Sequence, residues 1–128
     1  MIKIHEETKF KIIDSKPIEK LTEESDKLLG KYKYIYNMFS NGFWNHNVEF
    51  EYSSFNLNLF SEMNSQFDLE EGYLYVQCYG DERTKIVWLN FNENEVDKLV
   101  GMKKECAEYT IKYLRDLEEA GIIEIPKS

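Results

Sequence analysis

The stretch YLYVQCYGDERTKIVWLNF, residues 73–91, decides the fold. Two runs of strand-forming residues, Tyr73–Tyr79 and Thr84–Phe91, flank Gly80-Asp81-Glu82-Arg83, which has the residue types of a hairpin turn. Both runs are apolar on both faces. Leu74, Val76 and Cys78 alternate with Tyr73, Tyr75 and Tyr79, and Ile86 and Trp88 alternate with Val87, Leu89 and Phe91. Strands of that composition sit centrally in a sheet, covered by helices on one side and by something else on the other.

Downstream of Phe91 the apolar period changes from two to 3.6. Val96, Leu99, Val100, Lys103, Cys106, Ala107, Thr110, Tyr113, Leu114 and Leu117 trace one helical stripe. Asn92 and Glu95 have capping-box spacing, and Phe91 with Val96 fits a hydrophobic staple. Glu93, Glu95 and Asp97 fall in the first turn, where the helix dipole favours acids. Gly121 ends the stripe and lets Ile122 fold back on Leu117. At 1.5 Å per residue this helix is about 40 Å long, enough to cross a whole sheet. Ile122–Ile125 reads as a short final strand.

Upstream, the pattern predicts mostly strands. Trp44, His46, Val48, Phe50 and Tyr52 share one face while Glu49 and Glu51 share the other, and Phe55, Leu57 and Leu59 continue the alternation. Phe60–Phe67 reads as a short helix before the acidic loop Asp68–Gly72. Tyr32, Tyr34, Tyr36 and Met38 alternate as a strand, with Ser40-Asn41-Gly42 as its hairpin turn. Ser15-Lys16-Pro17 opens a helix that Ile18, Leu21, Leu28 and Leu29 carry to Gly30. Ile2–Ile13 reads as an edge strand or a broken pair of strands. The order predicts a single α+β domain over residues 1–128. Its antiparallel sheet has about five or six strands, with an N-terminal helix and a long C-terminal helix packed on one face.

The chain is 42% hydrophobic and has only two prolines and six glycines, which excludes a disordered or linker-rich protein. No apolar run reaches bilayer length, and Met1–Phe10 lacks the apolar core of a signal peptide, so the expected location is the cytoplasm. Cys78 and Cys106 have no CxxC spacing and fall on apolar faces, as reduced core residues do. The rich use of Lys, Ile, Asn, Tyr and Phe fits an AT-rich genome.

Charge carries the functional signal. Between Asn41 and Glu82 there are eight carboxylates, no Lys or Arg, and ten of the nineteen aromatics. The flanks nearly balance, at +1 over residues 1–40 and −1 over residues 83–128, against a net charge of −8 for the chain. Such a segment repels nucleic-acid phosphate and suits a basic protein.

Motifs for chemistry are missing from the sequence: no GxGxxG or GxxxxGK[ST] loop, no EF-hand, no zinc spacing. His5 and His46 are the only histidines, and His46 shares an apolar face with Trp44 and Val48, where a structural role is the ordinary one. Asp68, Glu70, Glu71, Asp81 and Glu82 flank one hairpin, and their convergence on a hard cation is the weaker alternative to a solvated loop. No catalytic residue, metal or cofactor is expected.

The leading expectation is a small acidic protein-binding module. It would be an inhibitor of the immunity, antitoxin or phage anti-defence type, occluding a nuclease or another basic nucleic-acid-handling protein. Its charged rim is expected at Glu49, Glu51, Asp68, Glu70, Glu71, Asp81 and Glu82, with Tyr73, Tyr75 and Tyr79 as aromatic anchors. A second option is a small-ligand domain, with a cavity between helix and sheet lined by Trp44, His46, Phe50, Tyr52 and Trp88. In element order and acidity the chain also resembles type III secretion chaperones. That likeness, without a shared motif, implies an acidic homodimer serving assembly.

Overall fold

A computed structural model of the chain describes residues 1–54, 57–82 and 85–127. In chain order the elements are β1 (Lys3–Ile4), β2 (Glu7–Ile12), α1 (Lys16–Glu19), α2 (Glu23–Leu29), α3 (Lys33–Ser40), β3 (Asn45–Ser54), β4 (Leu57–Asp68), β5 (Tyr73–Glu82), β6 (Lys85–Trp88), β7 (Phe91–Asn92), a 3-10 turn (Glu93–Lys98), α4 (Gly101–Glu119) and β8 (Ile123–Glu124). The fold is α+β, as the element order predicts.

β5 organises the sheet. One of its edges pairs with β4 along residues 73–80, and the other pairs with β2 over 73–77 and then with β6 over 79–82. β3 extends the sheet beyond β4, β8 extends it beyond β2, and all these pairings are antiparallel. β1 and β7 form a separate two-stranded ribbon.

One face of the sheet is core. Phe10, Met63, Phe67, Leu74, Val76 and Cys78 are buried there, beneath Cys106, Ala107, Thr110, Tyr113, Leu114 and Leu117 of α4. Burial at 3.6-residue spacing on α4 meets burial at two-residue spacing on β5. Apolar area removed from water at about 25 cal/mol per Å² drives this layering. Cys78 and Cys106 are both free thiols inside it. Among the described residues no helix covers the opposite face of the sheet, so the doubly apolar strands are covered on one side only.

Four elements differ from the sequence expectation. Residues 33–40 form a helix, because burying Ile35, Met38 and Phe39 at i, i+3, i+4 outweighs the alternating tyrosines. Ser40-Asn41-Gly42 is its cap rather than a hairpin turn. The Gly42 amide donates to the Phe39 carbonyl (2.9 Å) and the Phe43 amide to Met38 (3.1 Å), with Gly42 at φ +74°.

Phe60–Phe67 is strand throughout, since Met63, Ser65 and Phe67 alternate into the core. The N-terminal helix breaks at Lys20, whose backbone is extended, into α1 and α2. The long C-terminal helix starts eight residues later than the cap pattern suggests, with its cap at Val100 instead of Asn92. Leu99 and Val100 are extended, Gly101 is at φ +62°, and Val100 is 79% exposed.

Other expectations stand in part. Ile2–Ile13 is a broken pair of strands, β1 and β2. The hairpin of β5 and β6 closes later than the predicted turn, since β5 continues through Glu82, which pairs with Lys85. The turn positions Arg83 and Thr84, and the expected continuation at Phe55, lie outside the described residues. At Gly121 the α4 cap forms as read: the Ile122 amide donates to Leu117 (3.0 Å) and the Gly121 amide to Glu118 (3.0 Å). At the other end Asn92 accepts from Asn94, so the Asn92–Glu95 capping box does not form.

Candidate functional site

Register places a single row of side chains across four strands of the helix-free face. Glu49 of β3 is opposite Glu62 of β4, Glu62 is opposite Tyr79 of β5, and Tyr79 is opposite Trp88 of β6. Directly opposed residues on one face of a sheet lie within side-chain contact. One step along, Glu51 is opposite Phe60, and Asp81 is opposite Ile86. Acids occupy the β3 side of this area, and apolar side chains occupy the β6 side.

The apolar side is exposed. Trp88 is 46% and Ile86 69% accessible, and both stand beside Tyr79. The Tyr79 and Trp88 rings meet edge to face, 6.0 Å apart at 89°. Gln77, Tyr79, Ile86, Val87 and Trp88 line a shallow depression of about 350 Å³. The Tyr79 hydroxyl donates to Glu62 Oε2 at 2.6 Å. Burial and that bond push the phenol up to about 12. The ring is therefore fixed from both neighbouring strands.

The acidic side is uncompensated. Among the described residues, Glu49, Glu51, Glu62 and Asp81 form no ion pair. Glu51, by hydrogen bonding and by charge, and Glu62, by charge, hold the Glu49 carboxyl above the usual carboxylate range. These four acids share a face with aromatic neighbours, and none has a described ion-pair partner.

The remaining expected rim residues lie elsewhere. Asp68, Tyr73 and Tyr75 are on the same face but at the other end of β5, beside Lys9 and Lys11 of β2. Lys9 Nζ sits 4.4 Å over the Tyr73 ring, so the N-terminal strand brings cations to that end. A hydrogen bond to Glu71 and partial burial push the Tyr75 phenol up to about 12. Glu70 and Glu71 occupy the turn after β4, where Asp68 Oδ1 accepts from the Glu71 amide at 2.9 Å. Glu82 has the parity of the core face and reaches Lys103 of α4 at 4.0 Å. The acids expected to converge on a cation are thus at opposite ends of a ten-residue strand.

Tyr32, Tyr34 and Tyr36 belong to the helical layer. The Tyr34 hydroxyl donates to Asp116 Oδ2 at 2.5 Å, with Lys112 Nζ 4.8 Å from its ring centre. The two tyrosine groups are therefore not adjacent. His46 is on the core side, sharing a 2.7 Å hydrogen bond with Tyr109 and lying 5.3 Å from the Tyr113 ring. Tyr113 in turn bonds Ser65 at 2.9 Å. The residues considered for a ligand cavity do not gather. His46 and Phe50 pack on Tyr109, Trp88 is on the opposite face, and Trp44 and Tyr52 are exposed.

Sequence reasoning missed Glu62, Phe60 and Ile86, and it placed Trp88 in a ligand cavity instead of on this face. Glu62 was hidden by reading 60–67 as helix. Trp88 and Ile86 were read as buried, because a strand apolar on both faces does not declare which face is covered. Comparison with protein-family models, curated proteins and solved structures finds no match for this chain.

Proposed function

We propose that this chain is a protein-binding module, an acidic inhibitor of the immunity, antitoxin or phage anti-defence type. It covers a basic, nucleic-acid-handling partner with the helix-free face of its sheet. The observation that carries the reading is the row Glu49–Glu62–Tyr79–Trp88. Interfaces are anchored by a few aromatic residues in a desolvated centre, with a charged rim that selects the partner. Here the anchors are exposed without a partner, and the acids repel one another until cations arrive. A Lys/Arg-rich nucleic-acid cleft supplies both requirements: cations for Glu49, Glu51, Glu62 and Asp81, and desolvation for Trp88 and Ile86.

The test is capture of proteins from source lysate on the tagged chain and on variants, washed at low and high salt. Glu49→Lys with Glu62→Lys, and separately Trp88→Ala, should each lose a basic protein that the parent retains at low salt. That protein's action on nucleic acid should be blocked by the parent chain only. Glu105→Lys with Glu108→Lys, on the exposed side of α4, should retain it. Capture indifferent to the sheet-face variants would sink the assignment.

A further inference from the structure

β3 is one edge of the sheet, and which of its backbone groups are free follows from one bond. The Phe67 amide donates to the Trp44 carbonyl at 2.9 Å, and the register runs unbroken from Asn45 opposite Gln66 to Ser54 opposite Leu57. Antiparallel ladders alternate, so His46, Val48, Phe50 and Tyr52 direct their amides and carbonyls to β4. Asn45, Asn47, Glu49, Glu51 and Ser53 direct theirs outward. No other described strand lies beyond β3. The same five residues project their side chains onto the helix-free face, beside the acid and aromatic row. A ten-residue strand spans about 34 Å, a long edge to leave unpaired.

We infer that this edge receives an extended, basic segment of the partner by antiparallel strand addition. Lys or Arg at alternate positions of that segment would lie over Glu49 and Glu51. The inference rests on the protein-binding reading above and names its mode. Charge selects the occupant. Self-pairing of β3 about its centre sets Glu49 against Glu49 or against Glu51 of the second copy, so like charges oppose a homodimer at this edge. A strand with cations at every second residue meets the same acids favourably and supplies the missing hydrogen-bond partners. Neither Lys nor Pro, the usual guards of an open edge, occurs in β3.

The probe is a blocked heptapeptide, Lys-Val-Lys-Thr-Lys-Val-Lys, with amide hydrogen exchange and calorimetry as readouts on the full chain. With its central lysines opposite Glu49 and Glu51, the peptide should protect the amides of Asn47, Glu49, Glu51 and Ser53, and leave those of His46, Val48, Phe50 and Tyr52 unchanged. N-methylation at the two central lysine amides, which face β3 in the added strand, should weaken binding about tenfold, the loss of one or two hydrogen bonds. N-methylation at the valines should change it by less than about twofold, because those amides face solvent. Asn47→Pro removes an outward donor and no bond to β4, so the variant should fold and still lose the peptide.

Equal binding of the two methylated peptides, or protection confined to β5 and β6, would overturn strand addition and leave the acid–aromatic face standing. Self-association through β3, or no binding of the parent peptide at low salt, would also overturn it. Capture by the Trp88→Ala variant then judges the face on its own.

Discussion

Glu49 on β3 stands directly opposite Glu62 on β4, and neither carboxylate pairs with a cation among the described residues. Opposed like charges weaken a strand pair, so the free fold carries an unfavourable contact at its proposed binding face. The Glu49 carboxyl titrates above its ordinary 4.5, which means that the folded chain binds a proton more readily than the unfolded one there. Stability from this site therefore increases as pH falls through that window. Glu62→Gln keeps an acceptor for Tyr79 and removes the repulsion. It should raise the urea midpoint slightly at pH 7 while weakening partner capture. A variant that loses stability and keeps its partner would contradict the assignment of this pair to binding.

Leu114 is fully buried on α4 over the sheet, whereas Val100, read from the same stripe, is 79% exposed. Leu114→Ala should cost roughly 2–5 kcal/mol in urea denaturation, the sum of lost transfer energy and a residual cavity. Val100→Ala should change stability by less than about 0.5 kcal/mol. The contrast checks the observed helix start at Gly101 directly.

What could be read from the chain depended on whether local pattern and tertiary burial agreed. Leu74, Val76 and Cys78 alternate on β5, and Cys106, Thr110, Tyr113 and Leu117 recur on α4, so the helix-over-sheet core was visible in advance. Tyr32, Tyr34 and Tyr36 alternate as well, but Ile35, Met38 and Phe39 hold the buried stripe of a helix, and burial prevailed. Strand order was not legible. Inserting β2 beside β5 brings Lys9 and Lys11 to Tyr73 and Tyr75 and splits a segment that looks uniformly acidic in sequence. Half of the candidate site was named beforehand, at Glu49, Glu51, Tyr79 and Asp81. Glu62 and Ile86 were not, because they join only through long-range register, and Trp88 pointed to a ligand cavity instead of this face.

Gly101 shows a second kind of local conflict. It lies inside a helical period, yet its φ of +62° ends the extended pair Leu99–Val100 and starts α4. A Cβ there would meet nothing within 4 Å, so the cost of a side chain is in the backbone alone. Gly101→Ala should destabilise by about 1 kcal/mol, the price of a left-handed alanine. Gly101→Asn should cost less, since its side chain tolerates that region. A gain in stability from Gly101→Ala, as alanine gives in place of glycine inside a helix, would show a continuous helix through 101.

Burial lowers the His46 pKa from its ordinary 6.5, and Tyr109 and Tyr113 surround the ring. The unfolded chain then takes up a proton that the folded chain refuses. Stability is complete above 6.5 and declines as pH falls from there toward the depressed folded value. His46→Gln keeps a polar group beside Tyr109 and has nothing to protonate. It should flatten the slope of unfolding free energy between about pH 7 and pH 5. A slope as steep as the parent's would place the titrating group elsewhere.

Glu93 produces a separate acid transition, at the seam between the N-terminal ribbon and α4. Its carboxylate accepts from Arg115 Nη2 at 2.8 and 3.0 Å, from Arg115 Nε at 3.3 Å, and from the Ile2 amide at 3.0 Å. Burial pushes this carboxyl up, but the Arg115 and Ile2 hydrogen bonds and the Arg115 charge outweigh it and hold the group below its ordinary 4.5. A depressed carboxylate stabilises the fold above its unfolded pKa and loses that contribution as pH falls through the folded one, so this step begins below 4.5. Arg115 is partly exposed, and solvent screening limits the pair to about 1 kcal/mol. Glu93→Gln keeps an acceptor for Ile2 and loses the charge. It should reduce the slope below pH 4.5, to which Glu119, held down by Lys31, still contributes, leave the His46 slope intact, and speed hydrogen exchange at Ile2 and Ile4 before any other strand opens. Exchange that rises uniformly across the sheet would mean that Glu93 supports the whole domain rather than the tie between β1 and α4.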